Sequence, residues 1–324
     1  MREGVTVSAG KEDCSGTDGK SGAWSEAMRI YPKGKSARTA VFGAITMATL
    51  ITGVCLWVNW GYIELWLVFE RVGWNAQGYA EYRHRQTGIV FVRIPAGSML
   101  IGSAVEEWER VVRQYVEGFE VSRAQAEEWV GGERPEHAVT LGAFLIGKYE
   151  VTRAEWWRVM ETGSAESGGE DLPVEQVSWD ECEEFCRKSG LRLPTEAQWE
   201  VACRAGQEAT FWGSKSLERE CWYEGNSAGR AHAVGSKEPN GCGLYDMSGN
   251  VSEWCYDIYD HAFNSKAEAR EPEPVCTTGS DFRVVRGGNW GAFARNCRCE
   301  YRDSLAPSGR NAGIGFRPAF YPLP

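Results

Sequence analysis

The longest patterned feature near the start of the chain is a run without charge. No Asp, Glu, Lys or Arg occurs between Thr39 and Ile63. The centre of that run, TAVFGAITMATLITGVCLWV, is about twenty residues, roughly 30 Å of helix, which is the hydrocarbon thickness of a bilayer. The pattern therefore predicts a transmembrane helix over 39–63, with Trp57, Trp60 and Tyr62 forming an aromatic belt at its C-terminal end. Residues 1–38, rich in Gly, Ser and charge, read as a disordered tail. Residues 64–85 read as a connector, and a globular domain is expected over 86–324. Ile89 to Val92 form a short strand run turned by Pro95-Ala96-Gly97. Residues 104–130 are helical in pattern, with Trp108, Val111, Val112 and Tyr115 on one face, and read as an insertion. Ser178 and Glu181 make a capping box ahead of Cys182, Phe185 and Cys186, and Gly190 stops that helix. Thr195 and Gln198 make a second box ahead of Trp199, Ala202 and Cys203, and Gly206 stops that one. Beyond Gly206 the pattern is short strands and loops without a repeat.

Charge orients the spanning segment. Arg29, Lys33, Lys35 and Arg38 precede it, while Glu64, Glu70 and Arg71 follow. The positive-inside rule places the N-terminus in the cytoplasm and the C-terminal domain outside. The apolar run begins too late, and is too long, for a cleaved signal peptide. Fifteen Trp and 38 Gly suit a loop-rich domain held by aromatic anchors rather than a helical bundle. A formal charge of -10 argues against non-specific nucleic-acid binding, which needs a basic face. The eleven Cys lack the paired spacing of a structural zinc site, and the four His are scattered. Disulfides among the later Cys are permitted in an exported domain, but their pairing is not legible. Cys182 and Cys186, one helical turn apart, could ligate a metal or serve as small core residues. No Ser-His-Asp or phosphate-loop signature is present.

Six segments then point one way. They are FVRIPAGSMLIGS (91–103), RPEHAVTLGAFLIGKYEVTRAEWWRVM (134–160), LPVEQVSWDECEEFC (172–186), LRLPTEAQWEVACRAG (191–206), NGCGLYDMSGNVSEW (240–254) and RVVRGGNWGAFARNCRCEYRD with GIGFRPA (283–319). In this order they resemble the sulfatase-modifying-factor family, whose namesake is the formylglycine-generating enzyme. The likeness covers about residues 88–320. It implies an α+β domain, irregular and loop-rich, with a C-type-lectin-like core, standing behind the one N-terminal transmembrane helix.

The resemblance also implies sites. A calcium ion is expected on the Asp246 and Glu253 side chains and the Gly249 and Val251 carbonyls, a hard-oxygen set suited to that ion. A second calcium loop of the family is too short here to carry over. The enzymes hold copper(I) on two Cys that follow Gly-Gly, spaced as residues 292 and 297 are here. Those positions are Ala292 and Cys297, so the first ligand is absent, and Asn289 stands where the enzymes have Ser. In a strand, Cys297 and Cys299 would share a face and could clamp copper in another geometry; otherwise Cys297 is a buried structural thiol. The same C-terminal frame resembles retroelement-diversified binding proteins. Their variable places correspond here to Ala292, Phe293, Tyr301, Asp303, Ser304, Leu305, Ser308 and Ala312. Arg286, Arg295, Arg298, Arg302 and Arg317 crowd this stretch. Arg295, Arg298 and Arg302 are candidates for a ligand face that grips carboxylates, unless they pair with internal acids. The expected function is a membrane-anchored, extracytoplasmic binding or accessory module for a protein or peptide ligand, without the full copper site. The alternative is a divergent oxidase that converts a substrate-peptide cysteine to formylglycine.

Overall fold

The computed structural model describes residues 65–162, 169–206 and 217–321. The expected tail 1–38 and spanning segment 39–63 lie outside the described residues. Among the described residues no helix is long and apolar enough to cross a membrane.

The domain begins earlier than its sequence suggests. β1 (Phe69–Trp74) and β2 (Ala80–His84) pair antiparallel, and β2 continues onto β3 (Val90–Ile94). Together with β6 (Phe144–Gly147) and β11 (Ala319–Phe320) they complete a five-stranded sheet in the order β1-β2-β3-β6-β11. Residues 69–84 are therefore sheet rather than connector. Polar and charged residues on their open face hid the alternation, while Phe69 is buried against Phe91 and Phe320. β4 (Gly97–Ile101) pairs with β5 (His137–Leu141). A second sheet runs β10 (Ile314–Gly315), β7 (Ser252–Ile258), β8 (Arg283–Arg286) and β9 (Arg302–Leu305).

The insertion is two helices, α1 (Val105–Phe119) and α2 (Arg123–Val130), closed on each other over Trp108, Val111, Val112 and Tyr115. Helix α3 (Arg153–Met160) follows β6. Helices α4 (Trp179–Ser189) and α5 (Glu196–Arg204) both carry the expected capping boxes. Gly190 caps α4 in the left-handed region, whereas α5 ends one residue before Gly206, on Ala205 at φ 51°. Helix α5 is buried along nearly its whole length and lies between the β4–β5 hairpin and the second sheet. Trp199 and Trp254, both fully buried, anchor two adjoining apolar cores. A short helix α6 (Leu217–Glu220) leads into the loop before β7.

Candidate metal and ligand site

β7 and β8 bring two distant motifs together. Glu253 pairs with Arg286 across the ladder, so the turn at 246–251 lies against Gly287-Gly288. The Gly249 N–H donates to the Gly287 carbonyl at 2.8 Å, and the Trp290 N–H to the Asn250 carbonyl at 2.8 Å. Asn289 adds a bond from Nδ2 to the Ser252 hydroxyl at 3.2 Å. Gly249 is obligatory here: its φ is 78°, and a Cβ would stand 2.1 Å from the Trp222 carbonyl oxygen.

The calcium residues are adjacent and buried, but they are unequally free. Asp246 Oδ2 accepts from the Gly235 N–H at 2.7 Å, while Oδ1 is buried with no hydrogen-bond partner. Burial raises the Asp246 acid to about 6, opposed by that hydrogen bond and by Arg317. Glu253 is fully engaged. Arg317 donates Nη2 to its Oε1 at 2.6 Å and Nε to its Oε2 at 2.7 Å, and Trp199 Nε1 donates to Oε2 at 2.8 Å. Glu150, which the sequence did not flag, joins them. It accepts from Asn250 Nδ2 and the Val251 N–H, and burial with the Asp246 and Glu253 charges pushes its acid upward. Glu253 alone is bonded to the Arg317 guanidinium, whose charge also acts on Glu150 and Asp246. Among the described residues no three His, Cys, Asp or Glu side chains form a ready metal cage. A calcium ion here would draw on Asp246 Oδ1 and on the turn carbonyls.

The Arg face is not a face. Arg298 is completely buried and meets Glu133 in a two-pronged pair at 2.7 and 2.9 Å. Arg302 is buried against Glu196 at 2.6 and 2.8 Å. Arg286 bonds Glu200 at 2.5 Å and also the Cys299 and Glu300 carbonyls. The expectation of Arg298 and Arg302 as ligand-grippers is corrected: these forks brace a loop-rich core from within. Arg295 is also covered, its guanidinium 4.3 Å from the Phe119 ring and 4.4 Å from that of Phe293. What this stretch presents outward is aromatic. Phe293 packs edge-on to Phe119, which packs on Trp129, and all three are exposed. Asp303, Ser308 and Ala312 are exposed as well.

The second copper expectation also changes. Cys297 ends the 3-10 turn Ala294–Cys297, so Cys297 and Cys299 do not alternate along a strand. Cys299 is bonded to Cys203 of α5 in a disulfide spanning 96 residues, which leaves it no thiolate. Cys203, read as a helix-face core residue, is thus a covalent anchor. Cys182 and Cys186 are buried in the core, and burial holds both as thiols. The acids that answer each Arg come from segments far away in sequence, so nothing local announced them. A surface cleft lined by Arg187, Arg192 and Tyr256 among others reaches Cys186 but none of the residues expected to hold calcium or copper or to form the Arg face.

The fold and site define a loop-rich α+β domain braced by buried Arg–Glu forks around a Gly-Gly turn. Residues 76–320 match the sulfatase-modifying factor enzyme 1-like domain, and the chain belongs to that family. Mouse formylglycine-generating enzyme is 29% identical over 283 residues, 72% of this chain and 75% of that protein. The serine/threonine-protein kinase pkn1 of Chlamydia pneumoniae is 32% identical over 232 residues, 62% of this chain but only 36% of the kinase, so the chain spans about a third of that relative. Among solved structures, Treponema denticola variable protein 1 superposes with a TM-score of 0.58 at 25% identity, covering 75% of this chain and 99% of that one.

Proposed function

We propose that this chain is a membrane-anchored, extracytoplasmic member of its family that works as a binding or accessory module rather than as a formylglycine-generating oxidase. One observation carries the reading: Ala292 stands where the resemblance expects the first copper cysteine, and Cys299, the partner for Cys297 that the sequence offers, is spent in a disulfide. That disulfide also supports an oxidising compartment. Trp66, Leu67 and Trp74, exposed just after the apolar run, suit a membrane interface and so support anchoring through residues 39–63. The exposed Phe119, Trp129 and Phe293 offer the protein or peptide ligand an aromatic contact surface, of the residue types favoured at interface anchors. Calcium on Asp246 Oδ1 and the Gly249 and Val251 carbonyls is part of the proposal, supported by the unpartnered Asp246 Oδ1; Glu253, expected as a fourth donor, is held instead by Arg317 and Trp199. The ion would act by bracing the turn.

The reading is tested by incubating the reduced, copper-supplied full chain with a peptide bearing a sulfatase-type cysteine motif. The expected mass spectrum retains cysteine; conversion to formylglycine would instead establish the oxidase alternative. Proteolysis of spheroplasts tests the orientation. Digestion of the C-terminal domain is expected, and protection of it would reverse the topology.

A further inference from the structure

The domain starts almost directly after the apolar run: Leu65 stands two positions beyond Ile63, and β1 begins at Phe69. β1 is the edge strand of its sheet, and it carries a bulge. Arg71 opposes Tyr82 and Gly73 opposes Glu81, so Val72 is an extra residue without a cross-strand partner. In an unbroken strand, residues 71 and 74 would point to opposite faces. The bulge brings Arg71 and Trp74 onto the face of Ala80 and Tyr82, and the Arg71 guanidinium lies over the Trp74 ring at 5.1 Å. Tyr82 in turn opposes Phe91 of β3, so Arg93, two positions on, belongs to the same face.

Arg71, Trp74, Tyr82 and Arg93 line a cavity of about 530 Å³ together with Leu65 and Trp66, a volume in the range of small-ligand sites. Its lining holds two guanidiniums and no carboxylate. The buried Arg286, Arg298, Arg302 and Arg317 each meet a glutamate. Arg71 and Arg93 are exposed, and among the described residues neither is paired with an acid. On a chain of formal charge -10, this is a local excess of positive charge. The surface around it is apolar: Trp66, Leu67 and Trp74 are 61%, 71% and 67% exposed.

We propose that this cavity is a headgroup site for an anionic phospholipid, with Arg71 and Arg93 taking the phosphate and Trp66, Leu67 and Trp74 lying among the glycerol and upper acyl groups. The inference rests on the membrane-anchored reading above and adds the class of lipid. Guanidinium forks match phosphate oxygens, and cations next to a spanning segment attract anionic lipids. Tryptophan is the residue type that settles at the interface. The Arg71–Trp74 stack holds one guanidinium in place before the ligand arrives, which lowers the cost of ordering it. Free phosphate would leave the aromatic rim unused. A zwitterionic lipid would bring its own cation towards the two guanidiniums. Occupied, the site would hold the β1 edge of the domain at the bilayer surface.

The test uses the full chain in mild-detergent micelles, with phosphatidylglycerol or phosphatidylcholine added at stepped mole fractions. Native mass spectrometry counts the lipid that each protein retains. One phosphatidylglycerol should be retained at a mole fraction at which phosphatidylcholine is not. The double variant Arg71→Gln/Arg93→Gln should raise the half-saturating mole fraction about thirty-fold, on a scale of about five-fold per cation near an anionic lipid. Arg83→Gln, which removes an exposed charge from the other face of β2, should leave it unchanged. Equal retention of the two lipids or an unchanged double variant would overturn the proposal. So would displacement of phosphatidylglycerol by millimolar inorganic phosphate, which marks a site for free anions. The comparison of the two lipids needs no variant, so it stands if a substituted chain fails to fold. Alkaline carbonate extraction of cell membranes tests the anchor separately. Release of the chain would sink the anchored reading, whereas a chain that stays in the membrane but shows no lipid preference in micelles would sink only the headgroup site.

Discussion

Arg298 decides between a ligand face and an internal brace, and the two roles differ sharply in energy. Replacing it by Met leaves Glu133, itself 2% exposed, without its guanidinium partner. The Ser103 hydroxyl at 2.8 Å then remains as a partner for that carboxylate. Replacing Glu133 by Gln presents an amide where a carboxylate accepted two charged donors. Breaking a buried pair from one side costs about 3–5 kcal/mol, because the survivor stays buried and uncompensated. The double variant Glu133→Gln/Arg298→Met should cost less than the sum of the two by about 1–3 kcal/mol, since neither charge is then stranded. Each single change should lower the melting temperature on the order of 10 °C for a domain of this size. Urea unfolding of all four proteins, with unchanged slopes, gives the cycle. If Arg298→Met costs less than about 1 kcal/mol, the side chain is solvated in solution and the bracing argument fails.

The remaining expectations concern the same frame. Cys203→Ala opens a 96-residue covalent loop. It should cost about 2–5 kcal/mol, read as a melting temperature that dithiothreitol lowers in the parent but leaves unchanged in the variant. Gly249→Ala places a Cβ 2.1 Å from a backbone oxygen at φ 78° and should destabilise by about 2–5 kcal/mol in urea unfolding, more than Gly190→Ala, where the added Cβ meets open space. Without calcium, the Asp246 acid at about 6 binds its proton more tightly folded than unfolded, so its contribution to stability falls as pH rises from about 4 to 6. Asp246→Asn should flatten that fall in calcium-free melts. Calcium ligation needs the ionised form, so any calcium-induced rise in melting temperature should be present at pH above 7 and vanish as pH drops through about 6. A calcium effect that persists in full at pH 5 would place the ion elsewhere.

Local signals carried the parts of this protein that are locally determined. The capping boxes at Ser178 and Thr195 mark the starts of α4 and α5 because each is closed by a residue three positions on. The helical face of 105–116 is a 3.6-residue repeat, visible without any partner. The ordered motifs from 91 to 319 sufficed to place the chain in its family. β1 and β2 escaped because their open-face residues are polar and their pairing is set by turn geometry. The site itself was decided by tertiary structure. Arg298 looks the same in sequence whether it meets a ligand or Glu133, and only the packing of the 3-10 turn after α2 beneath it separates the two. Cys299 looked like a partner for Cys297 until α5 supplied Cys203. Helices and caps are fixed by neighbours within a few positions, whereas buried charges and thiols take their meaning from whichever distant segment desolvates them.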